Sequence, residues 1–467
     1  MKKLLATILA GTLLLSVCGC GNSGEGENTA DSGKTQLVVG NWPDQEGNKT
    51  SYDNQMRTKE AFETAYPDIE IIPDEYGYDV QTFTAKAEGG TLPTLYTTHF
   101  TEVDKIVDMG YAADITDAAK EYGYYDNMNE VIFNSASRDG KLYLVPGSMY
   151  SLGLILNMDL FEQAGLVEED GTPMAPKTFD ELIEVGRTIK EKTGVPAFVF
   201  PTTEGGGGWN FTVLAWNFGG TFMEQDADGN WQATFNSPEC IAALQYLKDL
   251  KWEYDLLPQN TLVNNAETSK LIGTNQVAMS FGHPSQAKIP IRNYGMSKDS
   301  LGYAQMPAGP ERHVTLIGGD YRVFVNDATP EEIDAGFKWL EFIGVSPNLT
   351  EDAKVQMENN VKTDVENGMI IGIEDLSLWG EDSEVYQYNK ELRDKYCNVN
   401  INHIKLYNDK TGLEFQTEEP VCAQDLYQIL DRCIQNVLNN ENADCAQIMA
   451  DAANEFQTNY LDYENEK

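Results

Sequence analysis

Aromatic and polar side chains stand directly after predicted strands, where they could bind a small ligand. Trp42 and Asp44 follow a buried strand predicted at residues 36–40, and Thr98 and His99 follow a later strand. An indole ring stacks on apolar surfaces, whereas carboxylate, hydroxyl and imidazole groups exchange hydrogen bonds. This combination suits a ligand that offers both apolar faces and hydrogen-bonding groups.

The elements that would position these four residues alternate between strand and helix. The strand at 36–40 is followed by an amphipathic helix that ends near Tyr66 and by a second strand at 69–72. Such alternation predicts a mostly parallel sheet with helices on both faces. In sheets of this kind ligands bind outside the carboxyl ends of the strands, which is where the four residues would lie.

Two apolar runs between Asp139 and Met158 predict a chain that passes from one sheet to another. Residues 142–145 and 152–156 each have the pattern of a buried strand. Residues 146–148, Pro-Gly-Ser, separate the two runs and are poorly suited to continue a sheet ladder. An ordinary strand with a bulge would give the same local pattern, so the pattern alone leaves both alternatives open.

Composition limits the classes of function. The chain has 467 residues, enough for two or three domains, and 41% of them are hydrophobic, so most of it should be globular. The formal net charge is -41. A chain this acidic repels phosphate backbones, which argues against a nucleic-acid partner.

The N-terminus has the pattern of an export signal. Lys2 and Lys3 precede an apolar run at residues 4–15, which is too short to span a bilayer as a helix. The residues that follow include Cys18 and Cys20 and resemble a bacterial lipobox, where a cysteine receives a lipid after cleavage. We expect residues 1–19 to be the signal peptide, Cys20 to carry the lipid with Cys18 as the alternative, and residues 20–34 to be a flexible tether.

Other chemistries are poorly supported. The remaining cysteines are odd in number and form no C-x-x-C pair, which argues against a metal cluster or a disulfide framework. The acidic run at 226–230 lacks the glycine and glutamate positions of a calcium loop. Gly205 to Gly208 lack the following lysine of a phosphate loop and are expected to form a flexible loop that presents Trp209. No cofactor and no metal are expected.

An ordered series of short motifs resembles the extracellular solute-binding proteins of ABC transporters, the maltose-binding-like family. The first is Gly140, Lys141, Tyr143 and Pro146, followed by NMDLFEQAG at residues 157–165. Further matching segments lie at residues 61–69, 89–96, 110–116, 176–182, 235–244, 273–282, 306–310, 317–321 and 330–343. The sequence departs from the family pattern at Thr94 and Phe179, and the resemblance weakens after about residue 365.

The resemblance implies an α/β, periplasmic-binding-protein-like fold. Each of two lobes would be a mostly parallel sheet flanked by helices, and a hinge would join them with the ligand cleft between. Residues 35–148 with 311–360 would form the first lobe, and residues 149–310 with 361–467 the second.

The resemblance also implies the function and the remaining site residues. The protein would be a lipid-anchored monomer on the outer face of the bacterial membrane that captures a carbohydrate and delivers it to an ABC import permease. Trp42, Tyr150 and Trp209 would stack on sugar faces, and Trp216 could lie either in the cleft or in the core. Groups expected to bond the ligand or let the backbone approach it are Asp44, Thr98, His99, Glu204, Asn210, His283, Gly319, Asp320 and Tyr321.

Two other classes of protein remain alternatives. A secreted glycoside hydrolase needs two carboxylates that flank the scissile bond. Asp44, Glu204 and Asp320 could provide such a pair, although no catalytic motif accompanies them. A glycan-binding surface lipoprotein without a transport role is the other alternative. We expect no enzymatic activity.

The lipid attachment site can be tested by substitution. Cys20→Ala should leave the protein unprocessed or release it from the membrane fraction, because the acceptor sulfur is lost. Cys18→Ala should remain anchored. Fractionation of cells that express each variant measures this, and the opposite pattern would assign the lipid to Cys18.

Overall fold

The computed structural model describes residues 33–466 apart from residues 48 and 375. The predicted signal peptide at 1–19, the lipid site Cys20 and nearly all of the tether at 20–34 lie outside the described residues. Among the described helices, none is both long and apolar enough to cross a membrane.

The strands lie mainly in two mixed sheets, with two short hairpins beside them. In chain order they are β1 (Thr35–Val39), β2 (Ile69–Pro73), β3 (Leu95–His99), β4 (Ser137–Arg138), β5 (Lys141–Leu142), β6 (Leu144–Ser151), β7 (Gly153–Asn157), β8 (Phe198–Val199), β9 (Met223–Gln225), β10 (Trp231–Ala233), β11 (Met279–Gly282), β12 (Leu301–Gln305), β13 (Val314–Phe324) and β14 (Glu414–Thr417).

Helices cover both sheets. In chain order they are α1 (Lys49–Ala65), α2 (Phe83–Glu88), α3 (Val103–Asp108), α4 (Thr116–Glu121), α5 (Tyr124–Asn127), α6 (Glu130–Ala136), α7 (Met158–Ala164), α8 (Phe179–Thr193), α9 (Gly206–Asn217), α10 (Pro238–Trp252), α11 (Asn265–Gly273), α12 (Pro284–Tyr294), α13 (Pro330–Phe342), α14 (Glu351–Glu366), α15 (Glu384–Tyr396), α16 (Ile401–Asn408), α17 (Ala423–Asn439), α18 (Cys445–Phe456) and α19 (Asp462–Asn465). Short 3-10 turns lie at Phe100–Glu102 and Lys298–Ser300, and a π-helical turn at Gln457–Leu461.

The first-lobe sheet is parallel at one side and antiparallel where the lobes join. β1 pairs in parallel with β2 and β3. β13 runs antiparallel to β3 and to β6, and its first residues pair in parallel with β14. The second-lobe sheet has the order β12-β7-β11-β8, and β7 runs antiparallel to both of its neighbours. Strands that are joined by a crossover helix run parallel to each other. A strand that the chain enters from the other lobe has no such helix before it, so it can run antiparallel to its neighbours.

The chain passes between sheets within Asp139–Met158 as predicted, but at Leu152 rather than at residues 146–148, which lie inside β6 where its pairing with β13 has a bulge. β6 pairs with β13 in the first-lobe sheet, and β7 pairs with β11 and β12 in the second. Only Leu152 stands between β6 and β7, and it is completely buried. The chain returns between β12 and β13.

The boundary after residue 360 differs from the predicted one. In α15, Val385 and Leu392 are buried in the core of the first lobe together with Trp379. Ile404 and Tyr407 of α16 pack instead with the second-lobe strands. Residues 361–467 therefore do not belong as a whole to the second lobe. The spacing of seven between Val385 and Leu392 gives α15 one apolar face, and the first lobe covers that face.

The run Gly205 to Gly208 is not a flexible loop, contrary to our expectation. Gly206 to Gly208 form the first turn of α9, and all four glycines are buried. The N–H groups of Gly205 and Gly208 each donate to the carboxylate of Asp431 on α17 over 2.7 Å. A Cβ on Gly208 would overlap the backbone of Tyr427. Glycine is used here because two helices approach at backbone distance.

This close approach predicts a large stability loss for Gly208→Ala. The added methyl group has no room beside Tyr427, so we expect the free energy of unfolding to fall by roughly 3 kcal/mol or more, at the upper end of overpacking effects. Gly77→Ala is the control, because its methyl group would make only ordinary van der Waals contact. Denaturant unfolding measures both, and equal stabilities of the two variants would refute the close packing of α9 on α17.

Candidate functional site

The polar centre of the site lies on the long strand β13. Asp320 stands opposite His99 of β3 on one side and opposite Ser148 of β6 on the other. Ser148 Oγ donates to Asp320 Oδ2 over 2.8 Å, and His99 Nδ1 lies 3.6 Å from Asp320 Oδ1. Both charged side chains remain partly exposed, with 52% of the His99 side chain and 37% of the Asp320 side chain accessible. They are therefore available to a ligand.

His99 and Asp320 each favour the charged form of the other side chain. The interaction with Asp320 raises the pKa of His99. Burial acts to raise the pKa of Asp320, but interactions with His99 and Ser148 outweigh it, so that pKa is lowered. The pair thus offers a carboxylate acceptor and an imidazolium donor side by side.

The rings of Tyr150, His283 and Trp209 lie beside this pair and are called the aromatic wall here. The ring of Tyr150 on β6 stacks on His283, with centroids 4.7 Å apart and planes at 27°. Trp209 on α9 meets His283 edge-on, with centroids 6.1 Å apart. His283 precedes α12, and burial lowers its pKa to about 4, so the ring is neutral at neutral pH. The wall is apolar in its ring faces and polar at its edges.

One further residue of the candidate site, Glu418, was not predicted from the sequence. It follows β14 directly, as Trp42 follows β1, and that position was the available signal. Its Oε1 accepts hydrogen bonds from Trp209 Nε1 over 2.9 Å and from the Tyr427 hydroxyl over 3.1 Å. Burial raises the pKa of Glu418 to about 7. Glu418 therefore links the aromatic wall to α17.

Residues of the candidate site line two cavities. One of about 620 Å³ is lined by His99, Tyr150, His283 and Asp320, and by residues 370–393 at its far side. The other, of about 520 Å³, is lined by Glu418 together with Phe100 and Trp231. Each has the volume expected for a small-molecule site and receives side chains from both lobes.

Four predicted site residues lie inside the first lobe instead. Trp42 is 3% exposed, and its ring lies 6.3 Å from that of Trp339. Thr98 and Tyr321 are completely buried. Tyr321 stacks on Phe100, and both of these rings border the cavity of about 520 Å³ that Glu418 also lines. Thr98 and Tyr321 directly neighbour His99 and Asp320 on β3 and β13, so their side chains point to the opposite face of the sheet. A Cβ on Gly319 would overlap the carbonyl oxygen of Ser148, so this glycine allows close strand packing.

The other predicted residues also have local partners. Asp44 is exposed and accepts from the N–H groups of Glu46 and Gly47. Glu204 is exposed and accepts from Asn264 Nδ2 over 3.1 Å. Asn210 is 1% exposed and donates to the carbonyl of Gly206.

Trp216, which the sequence could not assign, belongs to the core. It is 1% exposed, and its Nε1 donates to Glu419 over 3.0 Å. The structure thus brings together His99, Tyr150, Trp209, His283 and Asp320 of the predicted set and adds Glu418. Within the described residues, no group of three or more His, Cys, Asp or Glu side chains could hold a metal ion.

Comparison with known sequences identifies related proteins. Residues 43–346 match the family model described as bacterial extracellular solute-binding protein. The chain is 26% identical over 317 residues to the diacetylchitobiose-binding protein DasA of Streptomyces coelicolor, covering 66% of this chain and 70% of the relative. It is 22% identical over 364 residues to the maltodextrin-binding protein MdxE of Bacillus subtilis, covering 74% of this chain and 78% of the relative.

Solved structures share the fold. Maltose-bound MalE3 of T. maritima superposes with a TM-score of 0.67 at 19% identity, covering 91% of this chain and 99% of that one. UgpB of Mycobacterium tuberculosis, solved with glycerophosphocholine, gives 0.68 at 16% identity, covering 93% and 99%. At these identities the likeness establishes the fold, and the predicted two-lobed α/β class is confirmed.

Glu419, next to the site, makes the stability of the protein depend on pH. It is 8% exposed, and burial raises its pKa to about 7, above its ordinary value of 4.5. The folded protein then holds a proton that the unfolded chain releases, so stability is full below about pH 4.5 and falls as pH rises through 7. In Glu419→Gln we expect this fall to be smaller and the melting temperature at pH 8 to be roughly 2–4 °C higher.

Melting curves between pH 4 and 8 test this expectation. The exposed Glu441 provides the matched substitution, Glu441→Gln, which should leave the profile of the parent protein unchanged. A Glu419→Gln profile parallel to that of the parent would contradict the assignment.

Proposed function

The chain belongs to the family of bacterial extracellular solute-binding proteins, and we propose that it captures a carbohydrate, an oligosaccharide, between its lobes and delivers it to an ABC import permease. The observation that carries the carbohydrate assignment is the His99–Asp320 pair beside the rings of Tyr150, His283 and Trp209. Proteins of this family work outside the cytoplasmic membrane.

The chemistry of a pyranose matches this arrangement. The C–H faces of the sugar are apolar and stack on aromatic rings, whereas its hydroxyls lie around the ring and need donors and acceptors. Tyr150 and His283 supply rings in the cavity where Asp320 supplies an acceptor and His99 a donor. Glu418 supplies an acceptor in the second cavity, and Trp209 adjoins both His283 and Glu418. A dry aromatic wall without these polar partners would suit a lipid better than a sugar.

The relatives support carbohydrate over other solutes. DasA is named for diacetylchitobiose and MdxE for maltodextrin, both of which are oligosaccharides. The fold by itself does not select sugars, because UgpB shares it and was solved with glycerophosphocholine. The assignment therefore rests on the side chains of the cleft together with the sequence relatives.

We further propose how the protein is placed and how it acts. Lipid on Cys20 would hold a monomer near the permease, with residues 21–34 as the tether. Ligand would bind as the two lobes close around it by rotation about the strands β6, β13 and their connections. Closure excludes water from the hydrogen bonds and strengthens them.

We also propose that the protein does not cleave its ligand. Asp44 and Glu204, which could have paired with Asp320 as catalytic acids, have local partners and do not line the cavity that contains Asp320. Chromatography of oligosaccharides incubated with the protein tests this, and cleavage products would overturn it.

Trp209 is the residue that should contribute most to affinity. A thermal-shift screen with maltotriose, raffinose and N,N′-diacetylchitobiose first identifies a bound sugar, because a ligand of the folded state raises the melting temperature. Trp209→Ala should then weaken binding by roughly 2 kcal/mol or more in calorimetry, as for buried aromatic anchors.

The control for this variant is Trp252→Ala. Trp252 lies in the same lobe, is 39% exposed and donates to the carbonyl of Val437, away from both cavities. Its loss should leave affinity unchanged. If Trp209→Ala binds as tightly as Trp252→Ala, the site lies elsewhere.

A further inference from the structure

Glu418 has a fixed position between the two lobes. It follows β14, which pairs with the first residues of β13, and Asp320 lies further along that same strand. Its two protein donors, Trp209 and Tyr427, come from α9 and α17 of the second lobe. The first-lobe sheet and the second lobe therefore both hold this carboxylate in place.

The hydrogen bonds of Glu418 are unevenly distributed. Trp209 and Tyr427 both donate to Oε1. Among the described residues, no hydrogen bond reaches the other oxygen, Oε2. Glu418 also lines the cavity of about 520 Å³ between the lobes. Oε2 is not enclosed by protein, so it can accept a hydrogen bond from water or from a donor on a ligand.

We propose that Glu418 is a specificity-determining residue whose Oε2 accepts a hydrogen bond from a donor on the captured ligand, a sugar hydroxyl or amide N–H. This inference rests on the proposed function. It adds a selection rule, because a ligand that presents only an acceptor at this point would face the lone pairs of a carboxylate. Through Oε1 the same side chain orients the indole of Trp209 for stacking.

The proposal implies a coupling between ligand and proton. Burial raises the pKa of Glu418 to about 7, whereas a ligand donor favours the ionised form. Ligand binding should therefore release a proton near neutral pH, and affinity should rise from pH 6 to pH 8. The groups that interact electrostatically with Glu418 are Tyr427 on α17, His99 on β3, Glu102 in the 3-10 turn after β3, and Tyr150 on β6. The same cavity is also lined by the charged or titratable side chains of Asp104, Asp108, Arg138, Glu419 and Glu464.

Glu418→Gln is the decisive variant. Glutamine keeps an acceptor for Trp209 and Tyr427 but carries a donor in place of Oε2 and does not titrate. With a sugar found by the thermal-shift screen, we expect affinity at pH 8 to fall at least about tenfold, the loss of one hydrogen bond to a charged group. The rise in affinity from pH 6 to pH 8 should also disappear, because that rise comes from ionisation of Glu418, whereas loss of the proton of His99 could only lower affinity as the pH rises.

Two further variants complete the experiment. Glu414→Gln is the control, because Glu414 lies on the preceding strand, is exposed and pairs with Arg312 outside the cavity. It should bind like the parent protein. Tyr427→Phe removes one protein donor and leaves the carboxylate, so it should retain binding while the pH at which affinity rises shifts upward.

Calorimetry in two buffers of different ionisation enthalpy reads both affinity and proton release. The role of Glu418 would be overturned if the parent protein bound tightly and independently of pH. It would also be overturned if Glu418→Gln behaved like the parent. Either result would leave the proposal of carbohydrate capture intact. Failure of the parent to bind any sugar of the panel would overturn the proposed function, and this inference with it.

Discussion

The pairing of β13 with β6 and β3 is the interaction on which the rest of the structure depends. β13 runs through Val314–Phe324 and carries the second passage between the lobes beside the first, β6. Gly318 and Gly319 make this pairing close, since a Cβ on Gly318 would lie 2.7 Å from the ring of Tyr150. The same register that joins the lobes sets Asp320 between His99 and Ser148. The hinge and the centre of the site are therefore one piece of sheet.

Buried carboxylates recur around this centre, and protein donors accompany each of them. Asp431 accepts from the glycine N–H groups at the start of α9, Glu419 from Trp216 and Glu418 from Trp209 and Tyr427. Burial of a carboxylate without such donors costs several kcal/mol, so these pairs explain how an acidic chain tolerates acids in its interior. Glu418 and Glu419 also line the cavity of about 520 Å³, whereas Asp431 does not.

The contacts that Glu418 and His283 make with Trp209 also fix the orientation of its ring in the candidate site. Trp209 is held at its edge by His283 and at its nitrogen by Glu418, so its ring is oriented before a ligand arrives. An aromatic group fixed in this way loses little side-chain entropy on binding. The glycine run that precedes it, which looked like a mobile loop, is the rigid first turn of α9.

The sequence by itself determined the architecture and part of the site. The order of motifs predicted the two-lobed family fold and, with the two apolar runs, a passage between sheets, although residues 146–148 form a bulge inside β6 and the passage lies at Leu152. The structure places five predicted residues of the candidate site near one another: His99, Tyr150, Trp209, His283 and Asp320. They were predicted because they follow strands or stand in matching segments, and these signals are local.

Only the tertiary structure shows which face of a sheet a side chain occupies and to which lobe each C-terminal segment belongs. Trp42 and Thr98 also lie near the ends of strands and Tyr321 lies within β13, but which face of a sheet is covered depends on the helices that pack there. Glu418 became a site residue because β14 pairs with β13 across about a hundred residues of sequence. Gly205–Gly208 formed a helix because Asp431, distant in sequence, accepts from its N–H groups, and α15 joined the first lobe because that lobe covers its apolar face. Contacts between segments so far apart leave no periodicity or spacing in the chain, and only the folded structure reveals them.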